Sequence, residues 1–258
     1  MRVALAGVGM IGTSLALDLR AMGHQVMGYD PDPEHLRAAT ASGALDGALP
    51  ELTGRWDLIL LAAPPRACLE LLAADCEAPL WMDVASVKEP IVAAAGARSL
   101  PLVGGHPLAG SAGSGPLAAR AGLFRGRGFA LCPGGGPLSD AVELVESLGA
   151  HPIVLSADEH DRWVAGSSHL LYLLSCALAT TLADTPGELL GPAAYEWLRL
   201  ATSPPLLYQE ILAMNREAVA EALDSLVAEA RLLLTDLDFA EPQELATAMR
   251  ERWEQGAG

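Results

Sequence analysis

Gly7-Val8-Gly9-Met10-Ile11-Gly12 follows the apolar run Val3–Ala6, which predicts a strand. It opens a segment, Met10 to Met22, whose Ile11, Leu15, Leu19 and Met22 recur at helical spacing. Gly7 permits a tight turn, Gly9 lets the backbone approach a ligand closely, and Gly12 lets the helix pack on the strand. The N–H groups at the helix start, those of Met10 and Ile11 included, favour an anion there. A second strand is predicted over Gln25–Tyr29 and ends at Asp30, 18 residues after Gly12. A carboxylate at that place can bind ribose hydroxyls and repels a 2′-phosphate. Gly7, Gly9, Met10, Ile11, Gly12 and Asp30 are therefore the expected contacts of a dinucleotide, NAD in preference to NADP, although Arg37 stands nearby.

Working outward, short apolar runs alternate with helical patterns as far as residue 155. A helix is expected over Pro33–Ala41. Asp57–Ala63, Pro79–Val84, Leu100–Gly104, Phe129–Cys132 and Pro152–Leu155 are predicted strands, with a helix over Leu138–Leu148. Continuously apolar strands suit a sheet covered on both faces. The expected class is thus α/β: a Rossmann-type doubly wound sheet followed by an all-helical C-terminal domain. Strand signals stop after Ser156. Helical spacing runs over Arg162–Leu182, Glu188–Ala201, Leu206–Leu234 and Pro242–Trp253. The expected division is 1–156 for the dinucleotide and 157–258 for substrate and dimerisation. Leu170, Leu171, Leu173, Leu174, Leu178 and Leu182 cover much of one helix's circumference, which calls for burial in a helical core and in a homodimer interface.

The chain has 258 residues, half of them hydrophobic, and a formal charge of −16. That charge opposes binding to nucleic acid or an anionic membrane, and an anionic substrate needs a local cation. No charge-free apolar run of about 20 residues predicts a membrane span. The glycines, Asp18 and Arg20 near the N-terminus argue against a signal peptide. Cys68, Cys76, Cys132 and Cys176 form no C-x-x-C pair; each reads as a small buried apolar residue in a reducing, cytoplasmic compartment. No metal site is expected.

Gly104-Gly105-His106-Pro107-Leu108-Ala109-Gly110-Ser111 follows the fifth predicted strand. It puts His106 on the carboxyl side of the sheet, where ligands bind in open α/β folds. Pro107 keeps His106 out of a helix. An imidazole with an ordinary pKa near ~6.5 suits removal of a hydroxyl proton at neutral pH. Asp83-Val84-Ala85-Ser86-Val87-Lys88 ends the fourth strand. Ser86 can orient the imidazole or a substrate hydroxyl, or cap a helix starting near Lys88. Lys88 reads more readily as a solvated helix residue.

These motifs, with His160-Asp161 through Ser168-His169-Leu170, Leu198-Arg199-Leu200-Ala201 before Ser203-Pro204, and Asn215, resemble the prephenate/arogenate dehydrogenases of tyrosine biosynthesis. The resemblance runs in order from Val3 to Asn215. It implies oxidative decarboxylation of a cyclohexadienol that carries a ring carboxylate. His106 takes the hydroxyl proton while the same carbon gives hydride to NAD, carbon dioxide leaves, and the ring becomes aromatic. His106 and Ser86 are the implied catalytic residues, and Arg199, His169 and Ser111 the implied substrate contacts. Arg199 matches a substrate-carboxylate arginine, and its apolar neighbours argue against plain exposure to solvent. His160 and Asp161 are expected to stabilise a helix start, and Asn215 carries no assigned role. Ala112 stands where many prephenate-specific relatives have glutamate, so prephenate and arogenate both stay open. Control by tyrosine through an added domain is not expected.

Hydroxyacid dehydrogenases and imine reductases share such a domain order. The former use a lysine in their second half, and this chain has none after Lys88. An NAD(H)-binding redox sensor is the remaining alternative.

Overall fold

The computed structural model describes residues 1–110 and 113–256. Its contacts divide the chain into two units, Met1–Asp158 with Ala248–Gly258, and Glu159–Thr247.

The first unit is built from β1 (Arg2–Ala6), α1 (Met10–Ala21), β2 (Gln25–Tyr29), α2 (Pro33–Ala41), β3 (Gly47–Ala48), β4 (Gly54–Arg55), β5 (Leu58–Leu61) and α3 (Pro65–Leu71). It continues with β6 (Cys76–Glu77), β7 (Leu80–Asp83), α4 (Glu89–Ala97), β8 (Leu102–Pro107), β9 (Gly128–Gly134), α5 (Leu138–Ser147) and β10 (His151–Val154). Eight strands form one sheet in the order β10-β9-β8-β7-β5-β1-β2-β3, and β4 pairs with β6 apart from it. From β1 the order runs one way through β2 and the other way through β5, so the switch point lies between β1 and β5.

The apolar strands explain the two-sided burial. Leu58, Ile59, Leu60 and Leu61 of β5 are all buried. Leu58 and Leu60 join one core cluster, Ile59 and Leu61 the other. Side chains alternate across a strand, so a run with no polar member needs cover on both faces. Each such side chain contributes about 1.5–3 kcal/mol on burial.

The sheet departs from an all-parallel pattern at one place. β8 and β9 run antiparallel, with Gly105 opposite Leu131 and His106 opposite Ala130. A parallel pair needs a crossover, normally a helix. The connection 108–127 holds, among its described residues, only the 3-10 turn Pro116–Ala118. Strand β8 also extends through Pro107, beyond the Gly104 end expected from sequence, and so contains His106.

The helical unit holds most of α6 (Ala157–Val164), a π-helical turn (Ala165–His169), α7 (Leu170–Thr181), α8 (Pro192–Leu198), α9 (Pro205–Met214), α10 (Arg216–Asp236) and the first part of α11 (Ala240–Gly256), as far as Thr247. Two expected continuous helices are interrupted. Arg162–Leu182 contains the π turn, and Leu206–Leu234 breaks at Asn215, whose φ and ψ are −114° and 30°. Of the six leucines expected to be buried, only Leu170 is; Leu171 is exposed and the other four are half-buried. One protomer therefore does not enclose this helix. The stretch Ala157–Thr181 is long and apolar enough to cross a membrane by length and composition. His160, Asp161, His169, Tyr172 and Ser175 along it are buried, which suits packing against protein.

All four cysteines are free thiols, but only Cys68 and Cys132 are buried; Cys76 and Cys176 are half-buried. Burial, with Asp75 alongside, pushes the Cys76 thiol up to about 11, which keeps it protonated and unreactive.

Candidate active site

The glycine turn leaves β1 and enters α1 with the geometry a dinucleotide requires. Gly7 has φ +92°, and a Cβ there would lie 2.4 Å from the Ala62 carbonyl oxygen. A Cβ on Gly12 would lie 2.0 Å from the Gly7 carbonyl oxygen. A Cβ on Gly9 would meet nothing within 4 Å. Gly7 and Gly12 are thus required by packing within the chain, whereas the space beside Gly9 is open for a ligand. Helix α1 has no side-chain cap and no acidic residue in its first turn, so its positive end is available to a pyrophosphate.

Asp30 closes this turn from the β2 side. Its carboxylate accepts hydrogen bonds from the Val8 N–H and the Asp32 N–H, both at 2.9 Å. The cap of α2 is Asp32, which accepts from the Glu34 N–H at 2.8 Å, so Asp30 is not serving as a cap. Arg37 is engaged with Glu34 on its own helix. The residues present fit a dinucleotide with free ribose hydroxyls.

β1, β5, β7 and β8 are parallel, so the glycine turn, Ser86 and His106 all come to the carboxyl edge of one sheet. The roughly 4.8 Å strand spacing puts β8 about 14 Å from β1, a span suited to an extended dinucleotide. His106, the penultimate residue of β8, keeps part of its surface open while Gly105 and Pro107 beside it are buried. Ser86 is half-exposed in the loop after β7. It does not cap α4, whose cap position is Lys88 and has no side-chain cap bond.

Lys88 corrects the reading of a solvated helix residue, being fully buried with Asp83. Its ammonium pairs with the Asp83 carboxylate and donates to the Gly105 carbonyl oxygen. Asp83 also accepts the Ala85 N–H at 3.0 Å. Burial pushes the Asp83 carboxyl up, opposed by the neighbouring ammonium. The Gly105 carbonyl belongs to the peptide unit that leads into His106, so this ion pair fixes the backbone carrying the imidazole. A Cβ on Gly105 would lie 2.6 Å from the Asp83 carbonyl oxygen, which explains the glycine before the histidine.

The connection after β8 is tied to α1. Ser14 Oγ accepts the Arg120 N–H at 3.1 Å and Asp18 the Gly122 N–H at 2.7 Å. Burial raises the Asp18 carboxyl above its usual range, with the Gly122 N–H and Arg125 opposing. Ser111 lies outside the described residues, as does Ala112.

In the helical unit, His169 ends the π turn and is buried. His160 and Asp161 lie inside α6 rather than at its start, with His160 Nδ1 2.7 Å from Asp161 Oδ1. Asn215 joins this group, donating from Nδ2 to the Asp161 carbonyl at 2.7 Å, with His169 Nδ1 at 3.1 Å. Arg199 opens the 3-10 turn Arg199–Thr202 and is exposed, as is Trp197; the shielding expected from its apolar neighbours is not found in one protomer. Ser175, unnoticed in the sequence, holds this turn by donating to the Trp197 carbonyl at 2.6 Å and accepting the Ala201 N–H at 2.9 Å. Among the described residues, no cluster of three or more His, Cys, Asp or Glu could hold a metal.

A glycine turn at a switch point, with an imidazole on the same carboxyl edge and a helical second unit, defines a nicotinamide-dinucleotide oxidoreductase of the Rossmann type. Family models place it further. Residues 15–154 match the prephenate dehydrogenase nucleotide-binding domain and residues 156–251 the prephenate dehydrogenase dimerization domain. A probable prephenate dehydrogenase, NovF, of Streptomyces niveus is 35% identical, over 92% of this chain and 69% of its own. The prephenate dehydrogenase of Bacillus subtilis is 28% identical, over 94% of this chain and 72% of its own. A crystal structure of prephenate dehydrogenase from A. aeolicus with hydroxyphenyl propionate and NAD+ superposes with a TM-score of 0.85 at 25% identity, covering 98% of each chain. The chain belongs to the prephenate dehydrogenase family. A 3-hydroxyisobutyrate dehydrogenase of Mycobacterium tuberculosis, at 17% identity and a TM-score of 0.55, shares the fold alone.

Proposed function

We propose that this chain catalyses the NAD-dependent oxidative decarboxylation of prephenate or arogenate in tyrosine biosynthesis. The observation that carries this reading is His106 on the carboxyl edge of the sheet whose first strand opens into the glycine turn, in a chain matched along both halves by the family. NAD bound at Gly7, Gly9, Met10, Ile11, Gly12 and Asp30 supplies the hydride acceptor. His106 takes the proton from the ring hydroxyl, and Ser86 orients the imidazole or that hydroxyl. Arg199 pairs with a substrate carboxylate; a planar guanidinium suits a bidentate carboxylate, and a chain of charge −16 needs such a local cation. His169 and Ser111 complete the proposed substrate contacts. Loss of carbon dioxide with aromatisation makes the reaction strongly downhill, so the chain's main tasks are positioning and proton removal.

The preference for NAD over NADP rests on the Asp30 carboxylate and on Arg37 being paired elsewhere. A division into a dinucleotide domain, 1–156, and a helical substrate and dimerisation domain, 157–258, is supported by the change of family model between residues 154 and 156. A homodimer formed through the helical domain, in the cytoplasm, completes the reading; the four free thiols suit a reducing compartment.

The test is formation of NADH from NAD+ with prephenate and with arogenate, each also tried with NADP+. His106→Ala should lower kcat by about 10²–10⁴ with NAD+ affinity unchanged by titration. Turnover near wild type would remove His106 as the base. NADH binding without turnover on either substrate would favour a sensor.

A further inference from the structure

Asn215 stands at the break between α9 and α10 and is buried. Its side-chain amide has a determined orientation. Nδ2 lies 2.7 Å from the Asp161 carbonyl oxygen, and a carbonyl only accepts, so the NH2 end of the amide must face it. The same nitrogen lies 3.1 Å from His169 Nδ1. Its second hydrogen can bond that ring nitrogen only if the nitrogen carries a lone pair. A neutral imidazole with an unprotonated Nδ1 has its proton on Nε2. The opposite tautomer would set N–H against N–H. Turning the amide over would set Oδ1 against the Asp161 carbonyl. The π turn that ends at His169 is the kind of helix irregularity found at functional sites.

We propose that Asn215 is a positioning residue that holds His169 as the Nε2–H tautomer, making it a hydrogen-bond donor that selects an oxygen acceptor on the substrate. This rests on the reading of His169 as a substrate contact. The acceptor is a carboxylate oxygen, present in both prephenate and arogenate, or the side-chain keto oxygen, present in prephenate alone. An ammonium group cannot serve.

The test uses the full-length enzyme labelled with ¹⁵N-histidine. Two-bond ¹H–¹⁵N spectra are recorded at about pH 8, where an ordinary histidine is neutral, with His169 assigned by its loss in His169→Gln. Wild type should show His169 protonated at Nε2. Asn215→Asp, which puts an acceptor opposite Nδ1, should shift it to the Nδ1–H form. The same substitution should raise the KM for substrate on the order of tenfold, with the KM for NAD+ unchanged. An equal rise for both substrates identifies a carboxylate contact; a rise for prephenate alone identifies the keto oxygen. A wild-type His169 protonated at Nδ1, or present as a mixture, overturns the proposal even if the variant fails to fold. A tautomer change with both substrate KM values unmoved overturns it as well. Wild type that makes no NADH from either substrate counts against the functional reading and leaves the tautomer measurement standing.

Discussion

Lys88 shows how much one side chain can be misjudged from its neighbours. It follows a strand and precedes a helix, a place where lysine is usually solvated. Here it is fully buried against Asp83 and the Gly105 carbonyl. Removing one partner of a buried pair leaves an uncompensated charge. Lys88→Met should therefore lower stability by about 3–5 kcal/mol, measured by urea unfolding. Asp83→Asn/Lys88→Met, which keeps an acceptor for the Ala85 N–H and removes both charges, should recover part of that loss. A double variant no more stable than Lys88→Met would show that the pair is not coupled as described. Asp18 gives a prediction of pH dependence. Its carboxyl is raised in the folded chain, so above the ordinary value of 3.8 the folded state binds more protons than the unfolded state. Stability then falls as pH rises from 3.8 through the folded value. Asp18→Asn should flatten that fall in melting curves recorded across the acidic range; an unchanged slope would assign the effect to other groups.

At the scale of elements, the glycine turn separates two roles that its sequence merges. Gly12→Ala sets a Cβ against the Gly7 carbonyl and should lower the melting temperature. Gly9→Ala meets open space at an ordinary backbone conformation. Its stability should stay within about 0.5 kcal/mol of wild type, while NAD+ affinity falls at least on the order of tenfold, as one lost charge-assisted contact implies. Calorimetric titration and thermal melts on the two variants check both. The two-residue strands β3, β4 and β6 carry too short a pattern to predict, but the seven longer strands of the first unit were readable because apolar runs and glycine punctuation are local signals. The antiparallel β8–β9 pair was not, since pairing direction depends on the route of the 108–127 connection. The helix break at Asn215 was equally hidden: Leu206–Leu234 keeps helical spacing on both sides of it.

At the scale of the molecule, the helical unit leaves several large apolar side chains that one protomer does not cover. Trp163, Tyr195, Trp197, Leu206 and Leu234 are all more than half exposed. Large apolar side chains left in solvent in this number suit an association surface. Sedimentation should find a dimer, and Leu206→Glu should weaken it and lower the melting temperature in a concentration-dependent way. A monomeric wild type would exclude the homodimer.

The glycine turn, the apolar strand runs and the His-Pro-Leu-Ala-Gly stretch determined the fold class and drew attention to His106, because each is a local pattern whose physics acts over a few residues. Burial of Lys88 with Asp83, the Ser175 clamp on the Arg199 turn and the Asp161–Asn215–His169 contacts were decided only in three dimensions. They join residues far apart in the chain, or depend on which face a helix turns inward, and no periodicity records that.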